Sequence, residues 1–172
     1  MLIHWFDGWY TYNTSIVHAV APLTQSQLLF RAAPNLRSVG ETASHIALGR
    51  MDWFQRMDAP GSAALAAQAA ALESPASIAH DPSEIVKWLE ASWQMIDLTL
   101  KSWTTADLAR TYLHTYYGKT YAISYQWTIW RILAHDLHHG GELAVMLGMQ
   151  GVEIPELGSL GGHLTVPPQA EP

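Results

Sequence analysis

His135-Asp136-Leu137-His138-His139-Gly140-Gly141-Glu142 lies near the C-terminal end of a 172-residue chain, inside a run whose apolar residues recur at helical spacing. It gathers three imidazoles and two carboxylates. Residues four apart share one face of an α-helix, a turn apart in height. His135 and His139 can therefore hold one metal ion between them. A single further ligand completes a three-histidine site with open coordination positions, the arrangement of a working metal rather than a structural one.

The run carrying this motif reads as a helix from Ser124, a suitable N-cap, to about Leu147, with Gly148 as its stop. Upstream, Ser38-Val39-Gly40-Glu41 has the form of a capping box and opens a second long helix that runs to about Met57, before Pro60-Gly61. Asp81 as N-cap, Pro82 in the first turn and Glu84 completing the box open a third. Ile85, Leu89, Trp93, Ile96 and Leu100 then form a stripe at spacings of three and four. An earlier helix covers roughly Ile3 to Ala21, stopped by Pro22. Thr24-Gln25-Ser26-Gln27 is another capping box, opening a short turn through Phe30. Residues 61–80 are Ala-rich and read as a surface connection with some helix. Thr104–Asp107 begins a short turn. Tyr116-Tyr117-Gly118-Lys119-Thr120-Tyr121 reads as a small β-hairpin with Gly118 in its turn. Prolines and glycines from Gln150 onward predict an irregular tail. The expected fold is all-α, a four-helix bundle with a small hairpin or irregular insertion before the last helix. Residues 1–155 form the bundle domain and 156–172 the tail. Such bundles build metal sites from side chains on facing helices.

Composition narrows the function. The formal net charge is −6, and nine Lys and Arg residues are scattered without a basic stripe, which argues against nucleic-acid binding. The chain has no cysteine. Disulfides, thiolate metal sites and a cysteine nucleophile are excluded, and zinc would have to use imidazole and carboxylate. Met1-Leu2-Ile3-His4 has neither the basic nor the apolar region of a signal peptide, and no apolar run reaches the ~20 residues that span a bilayer. A cytoplasmic protein free of the membrane is expected. Eight Trp and only 14% charged residues suggest burial against a partner subunit.

The third ligand should come from another helix, and His45 is the only histidine of the second. Helical projection puts Gly49 and Asp52 near its face. Gly49 would leave room above the imidazole. Asp52 could orient a ligand or act as a base. Glu142 falls between His135 and His139 in angle and could be a fourth ligand or an orienting carboxylate. Asp52 and Glu142 are the candidate catalytic groups, and ligation by His138 stays open. Gly140 and Gly141 cost ~1 kcal/mol each against Ala in a helix interior, so a neighbouring helix or a substrate is expected to approach there. His4, His18, His80, His114 and His163 have no partner at ligand spacing, and the tryptophans read as core and interface.

With these residues in place, the chain resembles the DinB/YfiT-like superfamily of metal-dependent enzymes. The resemblance runs from Ser38–Glu41 and Ser44-His45-Ile46 with Trp53-Phe54, through Trp127-Thr128-Ile129-Trp130 into His135–Leu143, and on to Met146–Gly151. The motif at His135–Leu143 is the specific part, and its HHGGE form fits one subgroup. Many members instead carry Arg after the last histidine, and Arg131 stands where some relatives have another histidine. The resemblance implies a four-helix bundle, often a homodimer, with a metal triad at His45, His135 and His139. It further implies thiol-dependent S-transferase or isomerase chemistry with small bacterial thiols.

A three-histidine cation can make hydroxide from water near neutrality or bind a cosubstrate thiol as thiolate. With no sulfur nucleophile of its own, the chain is expected to be a metal-dependent transferase that activates a low-molecular-weight thiol against a small-molecule electrophile. Zinc and nickel lead among divalent metals. A metal-dependent hydrolase, a non-catalytic metal or small-molecule binding stress protein, and a bundle with merely structural histidines are the other readings.

Overall fold

Four long segments carry apolar stripes at helical spacing, and burying these stripes against one another sets the architecture. A computed structural model describes residues 1–72 and 74–158. A 3-10 turn (Leu2–Trp5) leads into α1 (Asp7–Val20), followed by α2 (Gln25–Leu29), α3 (Val39–Arg56), α4 (Ser62–Ala70) and a 3-10 segment (Pro75–His80). Next come α5 (Pro82–Ser102), a 3-10 turn (Asp107–Ala109), the antiparallel strands β1 (Thr111–Tyr116) and β2 (Lys119–Ser124), α6 (Tyr125–Gly148) and α7 (Pro155–Gly158). The expected bundle is formed by α1, α3, α5 and α6. Helix α3 packs on both α5 and α6, and α1 packs on α5. Helix α1 closes onto α6 where Trp9 Nε1 donates to Asp136 Oδ2 at 2.7 Å. All five stripe residues of α5 are buried.

The helix starts follow local chemistry. At α3 the Ser38 hydroxyl accepts from Glu41 N (3.2 Å) while the Glu41 carboxylate accepts from Ser38 N (2.9 Å). The box at Thr24 closes in the same way. At α5 the N-cap is Asp81, which accepts from Ser83 N at 2.8 Å. Glu84 does not complete a box there, because Lys87 engages both of its oxygens at 3.1 Å. The first helix begins later than expected, at Asp7, because the preceding turn is 3-10. Helix α6 starts at the Ser124 cap and runs through Gly148, and the left-handed residue after it is Gly151 (φ 71°).

The largest departure is at residues 61–80. Instead of a surface connection, the 3-10 segment packs onto α3 and buries Ile78 and Ala79. Gly40 permits that approach, since a Cβ there would lie 1.9 Å from the Ala79 carbonyl oxygen. The hairpin extends well past Tyr116–Tyr121, pairing Thr111 with Ser124 at its open end and Tyr116 with Lys119 at its tip. Tyr117 (φ 47°) and Gly118 (φ 72°) both take the left-handed conformation, as a two-residue type I′ turn requires. Leu157 of α7 is buried, so part of the expected tail packs back on the bundle. Residues 159–172, with His163, lie outside the described residues. No helix among the described residues is long and apolar enough to cross a membrane.

One polar network crosses the bundle core. Arg50 of α3 and Asp136 of α6 are fully buried and paired, Nε to Oδ2, at 2.8 Å. Arg50 Nη1 also donates to Asn13 Oδ1 on α1 (2.6 Å) and to the Leu89 carbonyl (3.3 Å) and Ser92 Oγ (3.4 Å) on α5. Each long helix thus contributes to one charge pair.

Candidate metal centre

Packing α3 against α6 brings His45 to His135 and His139. His135 Nε2 lies 3.1 Å from His45 Nε2. The ring centroids are 4.8 Å apart for His45–His135 and His45–His139, and 4.5 Å for His135–His139. One ligand nitrogen from each ring falls within 4.8 Å of the others. Two nitrogens on a cation at 2.0–2.1 Å stand about 2.9 Å apart at a right angle and about 3.3 Å apart on a tetrahedral edge. The 3.1 Å separation fits that interval. Glu142 Oε2 takes a hydrogen bond from His139 Nδ1 at 2.7 Å, fixing the tautomer that leaves Nε2 free for a cation. The buried His135 Nδ1 has no hydrogen-bond partner.

The surroundings favour the neutral form of two of these rings. Burial pushes His45 down from 6.5 to about 4, helped by the charge of Arg37 and then by His135 and His139. His139 is also lowered, chiefly by burial, although its bond to Glu142 works the other way. Burial opposes the Glu142 carboxylate, yet the bond from His139 and the charges of His139, His138 and Arg37 carry it below the usual carboxylate range. Neutral imidazole is the form that ligates metal. A sign follows for the metal-free protein. A histidine whose folded pKa is depressed contributes stability above its unfolded value near 6.5, and that stability is lost as pH falls toward 4. Partial exposure of His45 screens the effect, leaving a loss on the order of 1–2 kcal/mol. Urea melts of chelator-treated protein at pH 7.5 and 4.5 should show that loss, and His45→Gln should remove most of it. An equal loss in the variant would assign the effect elsewhere.

The other expected residues distribute differently. Glu142 reaches the cluster. His138 is exposed and contacts Glu142 Oε1 at 3.2 Å, so His138, His139 and Glu142 form a second, shallower grouping. Asp52 is not brought to the histidines. It lies two turns beyond His45, about 10 Å along the axis, and both its oxygens engage Arg56 Nη2 at 2.9 Å. Gly49 does make room for an imidazole, but for that of His135: a Cβ there would meet His135 Cε1 at 2.9 Å and Nε2 at 3.1 Å. Gly140 admits the neighbouring helix α1, since its Cβ would fall 1.9 Å from the Tyr12 hydroxyl oxygen. Gly141 faces open space.

Asp136 and Arg50 are the residues that motif reading passed over. Asp136 Oδ1 has no hydrogen-bond partner and stands 3.6 Å from His135 Nδ1, so the buried carboxylate of the core network backs a ring of the cluster. A signal was available. Ile129, Ile132, Asp136, Leu143 and Leu147 lie on one buried stripe of α6. A carboxylate in the middle of such a stripe calls for a buried cation. Arg50, set among Ile46, Ala47 and Phe54, is the matching exception on α3.

A crystal structure of a DinB-like protein from Bacillus cereus ATCC 10987 matches the fold with a TM-score of 0.69, covering 87% of this chain and 93% of that chain at 16% sequence identity. At that identity the likeness speaks for the fold alone. No curated protein matches the chain. The profile of the DinB superfamily matches residues 13–143, a span that holds all three clustered histidines and Glu142, and the chain therefore belongs to the DinB superfamily.

Proposed function

We propose that the protein is a divalent-metal-dependent transferase that activates a small-molecule thiol, with His45, His135 and His139 as ligands and zinc or nickel as the metal. The observation that carries this reading is the meeting of three imidazoles from two helices, their ligand nitrogens within 4.8 Å of one another and those of His45 and His135 at 3.1 Å. The metal would supply a positive charge that favours the thiolate form of the bound thiol. The chain's own residues do the rest. Glu142 orients His139 through the 2.7 Å bond. Gly49 leaves the space in which the His135 ring is seated. Arg37, His138, Gly141 and Glu142 line a cleft of about 670 Å³ beside the cluster, large enough for a small cosubstrate. Glu142, which lines that cleft, would accept the thiol proton. Sulfur bonds to the electrophilic carbon as the leaving group departs with its electron pair.

The same carboxylate beside the same cluster would serve a hydrolase by taking a proton from water, and product analysis separates the two. Zinc-loaded and chelator-treated protein are incubated with 1-chloro-2,4-dinitrobenzene and either cysteine or 2-mercaptoethanol. The expected result is thioether formed by the loaded protein well above the chelator-treated rate, with one thiol consumed per chloride released. Equal rates in the two preparations overturn metal-dependent transfer. Chloride release with no thiol consumed identifies the hydrolase.

A further inference from the structure

The seam between α3 and α6 continues past the histidines. One turn beyond Gly49, Trp53 of α3 faces Arg131 and Trp127 of α6, which lie one and two turns before His135. The Arg131 guanidinium carbon lies 4.6 Å from the Trp53 ring centroid and 5.5 Å from that of Trp127. The two indoles are 5.8 Å apart at an interplanar angle of 55°. His114, Tyr116 and Tyr121 of the hairpin close the opposite side, leaving a cleft of about 540 Å³.

Two guanidiniums lie against Trp53, that of Arg131 lining the cleft and that of Arg56 outside its lining, 5.2 Å from the ring centroid. Arg56 is committed: Asp52 neutralises it at 2.9 Å, and it donates to His114 Nδ1 at 3.0 Å. Arg131 has no ion-pair partner among the described residues. Its guanidinium sits within cation–π distance of both indoles, which restricts where its fork of N–H donors can go. In a chain of net charge −6, a guanidinium without an ion-pair partner and walled by aromatic rings has the chemistry to take an anion.

We propose that this cleft binds a planar conjugated carboxylate, its ring or conjugated system packed against the aromatic wall of Trp127, Tyr116 and Tyr121 and its carboxylate held by the Arg131 fork. Its position one helical turn from His135, about 6 Å along the helix axis, makes it the seat of the electrophilic substrate. That place in the reaction rests on the transferase reading, whereas the binding itself does not.

trans-Cinnamate is the probe, titrated calorimetrically into zinc-loaded and chelator-treated protein. For a ligand of this size a Kd on the order of 1 mM is expected, the same within about threefold in the two preparations because the carboxylate sits on Arg131 and not on the metal. Cinnamide, which lacks the charge, and cyclohexanecarboxylate, which lacks the plane, should bind at least about tenfold more weakly, as should cinnamate to Arg131→Gln. Arg131 is exposed, so this variant should keep the wild-type thermal midpoint. His135→Ala should bind cinnamate as the wild type does. The proposal is overturned if cinnamate gives no saturable heat, if cinnamide binds equally well, if Arg131→Gln binds unchanged, or if binding vanishes with the zinc. Failure of the thiol reaction with cinnamate binding intact removes the transferase reading and leaves this site standing.

Discussion

His135→Ala should lower zinc affinity by about 100-fold or more and abolish any metal-dependent turnover. Changes to groups that merely orient a metal ligand already cost 10–100-fold, and this change removes a ligand nitrogen outright. The three-histidine cluster would fall to His45 and His139, rings contributed by different helices. His135 Nδ1 has no hydrogen-bond partner among the described residues, and Nε2 meets only the half-buried His45 Nε2 at 3.1 Å, so truncation leaves one nitrogen that water can reach. The bundle should therefore survive, and the effect can be read as ligation. Elemental analysis after gel filtration, with calorimetric zinc titration, measures it. The competing grouping of His138, His139 and Glu142 makes the opposite forecast: His135→Ala would keep its metal and His138→Ala would lose it. That pair of results would remove the site proposed here.

Arg50→Ala should cost about 3–5 kcal/mol of stability, the usual consequence of stranding one member of a buried ion pair. At roughly 2–4 °C per kcal/mol for a chain of this size, the thermal midpoint should fall by roughly 6–20 °C. The loss is large because Asp136 stays buried with only Trp9 Nε1 as a donor, and Asn13 loses its 2.6 Å bond. Arg50→Met combined with Asp136→Leu should recover part of that loss, since well-packed apolar residues often replace a buried pair at little cost. Thermal and urea unfolding monitored by circular dichroism decide the matter. A cost below about 1 kcal/mol for Arg50→Ala would mean that water reaches Asp136 and that the network is not dry.

The bundle was legible because its signals are local. Capping residues at Thr24, Ser38, Asp81 and Ser124 all receive backbone N–H groups in the structure. The meeting of His45 with His135 was legible for a related reason: two positions four apart on one helix leave few partners, and α3 holds a single histidine. Features that depend on the neighbour across a gap were not. Projection placed Asp52 on the same face as His45, but a face says nothing of height, and two turns of rise carry its carboxylate to Arg56 instead. Gly140 was expected to admit a neighbouring helix or a substrate, but only the structure identifies Tyr12 as the group against it, and Gly40, read as part of a capping box, carried no sign of Ala79. The burial of Ile78 and Ala79 was missed because two apolar residues set no periodicity. The cleft at Arg131 needed the hairpin folded over α3 and α6, a contact between stretches some sixty residues apart in sequence for Arg56 and His114 alone.

A cation gripped by His45 and His135 would also act as a cross-link. The two residues are separated by 90 positions, so such a tie closes a long loop between the second and last long helices. In a chain without cysteine, and so without a disulfide, such a cation would be a reversible tether between distant segments. By the loop-closure argument used for covalent bridges it restricts the unfolded ensemble on the order of 4 kcal/mol. Chelation would then loosen the whole scaffold as well as empty the centre, making heat tolerance a gauge of metal supply.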